Sequence, residues 1–280
     1  MADQRAALVT GTSTGIGNTT ARALAQNGFV VFAGVRSEKD AANLASVHPG
    51  MRPTLLDVTD RSSISRSVDA VRDSGIPLYA LVNNAGIAVG GPLEYLPLDE
   101  LRRQFDVNVF GTIAVTQAAL PLLRETRGRI VTIGSIASRF GAPLIGPYSA
   151  SKAAIAVLMD SLRIELAPSG VHAILFEFAA VKTPIWAKAR SLKEHIPQRL
   201  PPKAVEVYAP FLEAAFKQID HEERVGLDPH LVAQAIVAAI LAGRPRARYV
   251  VGRQAHIQAA VAVLPHRVRD NIVRKVLRIP

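Results

Sequence analysis

Ala6-Ala7-Leu8-Val9-Thr10-Gly11-Thr12-Ser13-Thr14-Gly15-Ile16-Gly17 runs from a short apolar strand through a glycine-rich turn into a helical stretch. The helical stretch extends from Asn18 to Asn27 and stops at Gly28, a residue type favoured just past the last turn. Glycines between strand and helix let the backbone approach a pyrophosphate closely. The helix N-terminus adds free N–H groups and the positive end of its dipole. The spacing is G-x3-G-x-G rather than the more familiar G-x-G-x-x-G, so the flanking strand and helix carry the reading. Together they predict a dinucleotide-binding unit; a plain glycine turn would imply no ligand.

Working outward, apolar strands alternate with helical stretches to about residue 180, the pattern of a parallel sheet covered by helices on both faces. Strands are predicted near Phe29–Val35, Pro53–Leu56, Ala80–Asn83, Arg129–Ile136, Val171–Phe178 and Arg248–Gly252. With the first strand this gives an α/β, doubly wound parallel sheet of about seven strands. Helices are predicted at Pro97–Leu123 and Tyr148–Ala167. From about Ile185 to Asp228 the alternation breaks. Pro197, Pro201, Pro202 and Pro210 punctuate what reads as short helical pieces, and such an insertion after a strand end is where open α/β sheets place ligand-covering loops. No second domain is expected, so residues 1–280 read as one oxidoreductase-type domain.

At 280 residues, 49% hydrophobic and 20% charged, the chain can bury a large core. It has no cysteine, which excludes disulfides, thiolate catalysis and cysteine-ligated metals. The first strand starts too early for a signal peptide. The strongest apolar run, Ala235 to Ala242, is far short of the ~20 residues of a membrane span, so a cytoplasmic protein is expected. His195, His221 and His230 fall in or near the insertion without paired ligand spacing, and no metal site is expected.

The net charge of +10 is unevenly placed. From Arg244 to Pro280 nine Lys/Arg stand against one acid, Asp270, so eight of those ten positive charges lie there. Val268, Ile272, Val276 and Ile279 recur at helical spacing with arginines between them, the pattern of a basic amphipathic helix over about 265–280. Two readings follow: peripheral contact with an anionic membrane, or packing on the chain's own fold or a neighbouring subunit, the second being preferred. Residues 265–280 contain no Phe, Trp or Tyr, so nucleic-acid binding is not expected.

The chemistry sits in Ser135, Tyr148 and Lys152. A tyrosine phenol has a pKa near ~10 and is a poor base at neutral pH unless its anion is stabilised. Lysine at i+4 lies one turn on along the same helix face, where its ammonium is expected to lower that pKa. The serine hydroxyl can hold a substrate oxygen while the tyrosine gives or takes a proton. Pro143, Ile145 and Trp186 are expected to wall an apolar pocket, which points to a lipophilic alcohol or ketone.

The second strand ends Gly34-Val35-Arg36, with no acid for a ribose 2′-OH. Arg36 can instead pair with a 2′-phosphate, and Ser13 in the turn can add a contact. NADP is therefore expected over NAD, with Glu38 nearby as a complication. If Arg36 is only a solvated loop residue, both cofactors bind.

Taken together these residues resemble the short-chain dehydrogenase/reductases over nearly the whole chain. Thr10 to Gly17, with Gly11, Ser13, Thr14, Gly15, Ile16 and Gly17, is similar to that family's cofactor turn. Leu56-Asp57-Val58 resembles its adenine-contacting turn and Asn83-Asn84-Ala85-Gly86 its central-strand motif. Asn108, Ser135, Tyr148 and Lys152 match its catalytic positions, and Val181 and Thr183 the segment that holds the nicotinamide amide. Gly91-Pro92-Leu93-Glu94 and Lys182-Thr183-Pro184-Ile185-Trp186 look most like bacterial members related to steroid and retinol dehydrogenases. The resemblance implies a Rossmann fold, hydride transfer between the nicotinamide and a carbonyl carbon, and ribose binding by Tyr148 and Lys152. It also implies a water held by Asn108 and a homodimer or homotetramer formed through the Pro97–Leu123 and Tyr148–Ala167 helices.

Two departures stand out. Phe178-Ala179 occupies the place of the family's usual Pro-Gly, and Gly134 stands where a second serine is frequent. Both bear on cofactor affinity and substrate fit rather than on proton transfer. A non-catalytic nucleotide-sensing or scaffold protein on the same fold is the rival reading; retention of all four catalytic-type residues argues against it.

Overall fold

Strands β1 (Ala6–Val9) and β2 (Val30–Val35) are buried at every position, as expected of parallel strands covered on both faces, which read as continuous apolar runs. The structure is a computed structural model that describes residues 4–184, 186, 198 and 200–279. The other strands are β3 (Met51–Leu55), β4 (Leu78–Asn83), β5 (Arg129–Ile133), β6 (His172–Phe178) and β7 (Arg248–Val251). They form one sheet in the order β3-β2-β1-β4-β5-β6-β7, parallel throughout. The order reverses between β1 and β4, and the crevice beyond the carboxyl ends of the strands at such a switch point is where open α/β sheets bind ligands.

Helices cover both faces. On one, α1 (Gly15–Gln26) and α8 (Pro229–Leu241) pack together, burying Ala21, Leu24, Val232, Ile236 and Ile240 against Ala7, Val9, Val31 and Val131. On the other, α3 (Arg61–Asp73), α5 (Thr112–Thr126) and α6 (Gly146–Leu166) bury Val68, Val115, Leu123, Ile155 and Met159 against Leu8, Leu81 and Ile130. Alternate strand residues thus serve opposite layers. Truncating a fully buried member such as Leu123 to Ala costs about 2–5 kcal/mol. The short α2 (Glu38–Ala45) follows β2, its Ser37 cap accepting from the Asp40 N–H.

Several expectations need correction. The stretch expected as one helix over Pro97–Leu123 is α4 (Leu98–Phe105), a wide π turn at Asp106–Gly111, and then α5. A Cβ at Gly111 would lie 2.7 Å from the Val58 side chain and 2.8 Å from its carbonyl oxygen, so glycine lets the wide turn approach that loop. The same run, Leu98–Thr126, contains an 18-residue window of mean hydropathy 1.3, longer than any apolar run expected from the sequence. It lies against the sheet, with Val115, Ala119 and Leu123 fully buried.

The insertion also differs from expectation. Residues 202–225 form one continuous helix, α7 (Pro202–Val225), with Pro210 inside it. Pro202 starts the helix, where its missing N–H costs nothing. Tertiary contacts hold the continuation: the Tyr208 hydroxyl donates to Glu94 Oε2 at 2.9 Å and its ring meets Tyr95 edge-on at 6.1 Å. Glu94 and Tyr95 follow β4, so α7, which follows β6, contacts the segment after β4. Ile185, His195 and Pro197 lie outside the described residues. The C-terminal region forms α9 (Arg253–Ala262) and α10 (His266–Leu277).

Candidate active site

The glycine turn is shaped as its sequence implies. Gly11 and Gly15 have φ of +68° and +62°, a region costly for other residues. Gly17 is held by proximity: a Cβ there would sit 2.3 Å from both Asn84 Nδ2 and the Gly11 carbonyl oxygen. Thr14 caps α1 without a side-chain hydrogen bond, and the first turn contains no acid. The helix N-terminus therefore keeps its free donors and positive dipole end, a site complementary to a phosphate. Ser13 and Thr14 are exposed on the same turn. These features fit a dinucleotide pyrophosphate.

Long-range bonds fix the turn. Thr12 donates through both N–H and Oγ1 to the Gly34 carbonyl, at 2.9 and 3.0 Å, tying it to the end of β2, where Arg36 is exposed two residues on. Thr10 Oγ1 accepts from the N–H groups of Asn84 and Ala85, both at 2.9 Å. Asn84 Nδ2 donates to the carbonyls of Thr10 and Gly11, both at 2.9 Å. Asn83, grouped with the cofactor-side residues by its motif, has its side chain buried in the core, where it donates to Thr116 Oγ1 at 2.8 Å. Thr10, Thr12 and Asn84 were legible only as motif members, because their partners lie 22 to 75 residues away.

Other cofactor-side residues are placed as follows. Asp57 Oδ1 accepts from the Thr59 N–H and hydroxyl, at 2.9 and 2.7 Å, which fixes the loop after β3. Val58 is buried against Gly111. Val181 is buried and pairs with Leu227 in an isolated parallel bridge. Thr183 lies over the glycine turn: a Cβ on Gly15 would meet its Cβ and Cγ2 at 3.2 Å. Gly86 faces Asn108, whose Oδ1 would lie 3.3 Å from a Cβ there.

Asn108 sits in the π turn, a rare conformation that often marks functional sites. Its Oδ1 accepts from the Ile87 N–H at 2.9 Å, and its Nδ2 donates to the Ile87 carbonyl at 3.0 Å and to Ser151 Oγ at 3.1 Å. Ser151 in turn donates to the Tyr148 carbonyl at 2.8 Å. Asn108 thus ties the loop after β4 to the turn of α6 that carries Tyr148 and Lys152. Gln104, fully buried one turn earlier, accepts from the Val89 N–H at 2.6 Å and donates to the Ile87 carbonyl at 2.8 Å.

Ser135 follows β5 and caps a short 3-10 turn at Ile136–Ser138, its Oγ accepting from the Ala137 N–H at 3.2 Å. Gly134 before it has a tertiary reason: a Cβ would meet the Phe176 carbonyl oxygen at 2.8 Å, so a second serine does not fit. The turn is held from below by Glu177, which has no exposed surface. Glu177 accepts from Ser138 Oγ at 2.9 Å and from Arg139 Nη2 at 2.5 Å. Nothing local in the sequence marks Glu177, because its partners are 38 and 39 residues away.

Tyr148 is half-buried and Lys152 is buried near the start of α6. Burial pushes the Tyr148 phenol above its ordinary pKa, while a hydrogen bond with Ser135 acts the other way. The expected lowering by Lys152 is absent here. The lysine instead donates to the Ile133 carbonyl at 2.7 Å, with Nζ 5.8 Å from the tyrosine ring centroid. Desolvation of the phenol therefore outweighs the Ser135 hydrogen bond.

Burial brings Lys152 itself from 10.5 down to about 8. The folded side chain gives up its proton before the unfolded one, so the unfolded chain binds more protons across that window and stability rises with pH. The stability of the protein relative to its Lys152→Met variant should rise between about pH 8 and 10.5, by up to roughly 3 kcal/mol. Chemical denaturation of both proteins across that range checks this; a pH-independent difference would contradict it.

The residues expected to wall the substrate pocket are only partly gathered. Ile145 caps α6 and is 39% exposed, with half-buried Pro143 two residues before it. Leu144 between them has φ +65°, which costs a bulky residue about 1–2 kcal/mol; its carbonyl accepts from the Gly91 N–H at 2.8 Å. Trp186 is turned toward the chain after β6, its indole N–H donating to the Val181 carbonyl at 2.8 Å. A separate cavity of about 470 Å³ is lined by Ala179, His221, Val225, Val251 and Ile257 and includes none of the three expected residues. Ala179 does not adopt a positive φ, so its backbone does not demand glycine.

A family model described as short chain dehydrogenase matches residues 5–194. The chain is 36% identical over 283 aligned residues to an NADPH-dependent 3-dehydrocapnine reductase of Ornithobacterium rhinotracheale, across 98% of each chain. It is 34% identical to retinol dehydrogenase 5 of Mus musculus, across 97% of this chain and 88% of that one, in keeping with the retinol-dehydrogenase-like stretches. Among solved structures, a short chain dehydrogenase from Burkholderia cenocepacia in complex with NADP matches with a TM-score of 0.74 at 26% identity, covering 99% of each chain. With the doubly wound sheet, the glycine turn and full-length relatives in agreement, the chain belongs to the short-chain dehydrogenases, a family of NAD(P)-dependent oxidoreductases.

Proposed function

We propose that this protein is an NADP(H)-dependent oxidoreductase that interconverts a lipophilic carbonyl compound and its secondary alcohol, with Tyr148 as the acid and base. The observation that carries the reading is the meeting of Tyr148 and Ser135 above a buried Lys152. When bound, the nicotinamide supplies or accepts the hydride; the protein provides geometry and charge.

In the reducing direction a raised phenol pKa keeps Tyr148 protonated at neutral pH and able to donate to the substrate oxygen. Ser135 holds that oxygen, and Lys152 offers its ammonium to the ribose hydroxyls. In the oxidising direction Tyr148 takes the alcohol proton, which requires its anion to be stabilised by Lys152. Asn108 supports this set by fixing Ser151 and the loop after β4, and a water held there would connect Lys152 to solvent. Apolar Ile145, Pro143 and Trp186 support a lipophilic steroid-, retinoid- or ketone-like substrate. Helix α7, reaching from the segment after β6 to Glu94, supports the insertion as a cover for it.

Cofactor choice rests on Arg36, exposed just past the end of β2, with no acid at that strand end. The similarity to an NADPH-dependent reductase and to an NADP complex supports NADP(H) over NAD(H). The test is a parallel fluorescence titration with NADPH and NADH. Arg36→Ala should weaken NADPH binding roughly 10- to 100-fold, the range of one lost charged hydrogen bond, and leave NADH binding nearly unchanged. Preference of the unmodified protein for NADH would refute the cofactor assignment. Binding of neither would refute the enzyme reading.

Self-association through α5, α6 and the π turn is part of the same proposal, since Phe110, Val157 and Ile164 are 63%, 66% and 70% exposed there. A cytoplasmic location and a single domain over residues 1–280 complete it.

A further inference from the structure

We propose that α9 and α10 form a docking surface for an anionic lipid bilayer. Helix α10 carries five apolar residues, Val268, Ile272, Val273, Val276 and Leu277, yet none of its residues is fully buried. Val268 and Val276 are 46% and 67% exposed, and the neighbouring Ile257, Val263 and Leu264 are 55%, 81% and 37% exposed. Among the described residues α10 packs mainly on α7. The helix thus packs on its own fold through α7, as the preferred reading expects, while Val268 and Val276 stay uncovered.

At 100° per residue the apolar side chains Val268, Ile272, Val273, Val276 and Leu277 fall on one half of α10. Arg267, Arg274 and the C-cap Arg278 fall together on the other half, with Lys275 at its flank; Arg269 falls within the apolar half, where it is mostly buried and bonded to His266. An apolar half rimmed by long basic side chains suits the boundary between acyl chains and headgroups. Valine and isoleucine enter the upper acyl layer, and arginine and lysine stems extend to the phosphates. The charge chooses among occupants. Nine Lys/Arg against one acid from Arg244 onward would repel a second copy of the same face, and a nucleic acid would engage the arginines while leaving the exposed valines in water.

The surface requires no catalytic residue, so it is tested independently of the reaction. The full-length protein is sedimented with phosphatidylcholine vesicles with and without phosphatidylglycerol. Binding to the anionic vesicles alone, weakened by salt, is expected. Arg267→Glu combined with Arg274→Glu and Arg278→Glu should lower the partition coefficient by on the order of 100-fold. Val268→Ser with Val276→Ser should lower it about 10-fold or more. Both variants alter exposed side chains, so melting temperature and cofactor binding should be unchanged.

Absence of binding to anionic vesicles, or equal binding to neutral ones, overturns the proposal. It is also overturned if Val268→Ser/Val276→Ser converts an oligomer to a smaller species, because the face is then a contact between copies. Tight binding of a single-stranded oligonucleotide that the valine substitutions leave untouched would overturn it in favour of nucleic acid.

Discussion

Tyr148→Phe should lower kcat by at least about 1,000-fold, within the range assigned to a positioned general acid or base, while NADPH binding stays within a few-fold of the unmodified protein. The change removes only the hydroxyl, and the packing of the ring at the start of α6 is retained. Burial and the Ser135 hydrogen bond act on that hydroxyl, so Ser135→Ala should lower kcat in the same direction by a smaller factor. Single-turnover reduction of a screened ketone, with cofactor fluorescence as a separate readout, distinguishes lost chemistry from lost binding. A Phe variant with undiminished turnover would remove Tyr148 from the mechanism and reopen the non-catalytic reading.

Gly17→Ala should abolish useful cofactor affinity, raising the NADPH dissociation constant by about 100-fold or more, and lower the melting temperature by several degrees. The added methyl would sit 2.3 Å from the Gly11 carbonyl oxygen and from Asn84 Nδ2. Neither can yield cheaply: one is backbone in the turn, and the other donates to the Thr10 and Gly11 carbonyls. Relief requires α1 to move away from the end of β4, which displaces the free N–H groups at its N-terminus. Overpacking of this kind costs about 1–3 kcal/mol, or a few degrees per kcal/mol at this size. Gly141→Ala is the control, because nothing lies within 4 Å of its Cβ and its φ is not positive; thermal melts should leave it within ±0.5 kcal/mol. Unchanged NADPH affinity in Gly17→Ala would show that the turn does not hold the pyrophosphate.

Much of the fold was legible because it is encoded locally. The seven strands were readable as short apolar runs, with boundaries differing from the structure by a few residues at most, although the edge strands β3 and β7 are only partly buried. The glycine turn and Gly28 at the end of α1 were readable because positive φ, +84° at Gly28, restricts residue choice. Ser135, Tyr148 and Lys152 were readable as a set because the i, i+4 spacing and the strand end imply one edge of the sheet.

The wide turn at Asp106–Gly111 was not readable, since one extra residue in a helical turn leaves composition and periodicity nearly unchanged. Its existence depends on Val58 meeting Gly111 and on Asn108 reaching Ile87. Helix α7 was hidden for the opposite reason. Pro210 is a strong local breaker, but contacts such as Tyr208 with Glu94 and Tyr95 override it.

By itself the sequence determined the parallel α/β sheet, the glycine turn between β1 and α1 and the grouping of Ser135, Tyr148 and Lys152, because each depends on residue type and short spacing. Tertiary structure alone decided that Asn84 braces the turn, that Glu177 holds the serine loop, and that Lys152 is drawn down to about 8. Those outcomes depend on partners tens of residues away and on exclusion of water. Only the folded chain brings such partners together and dries the space between them.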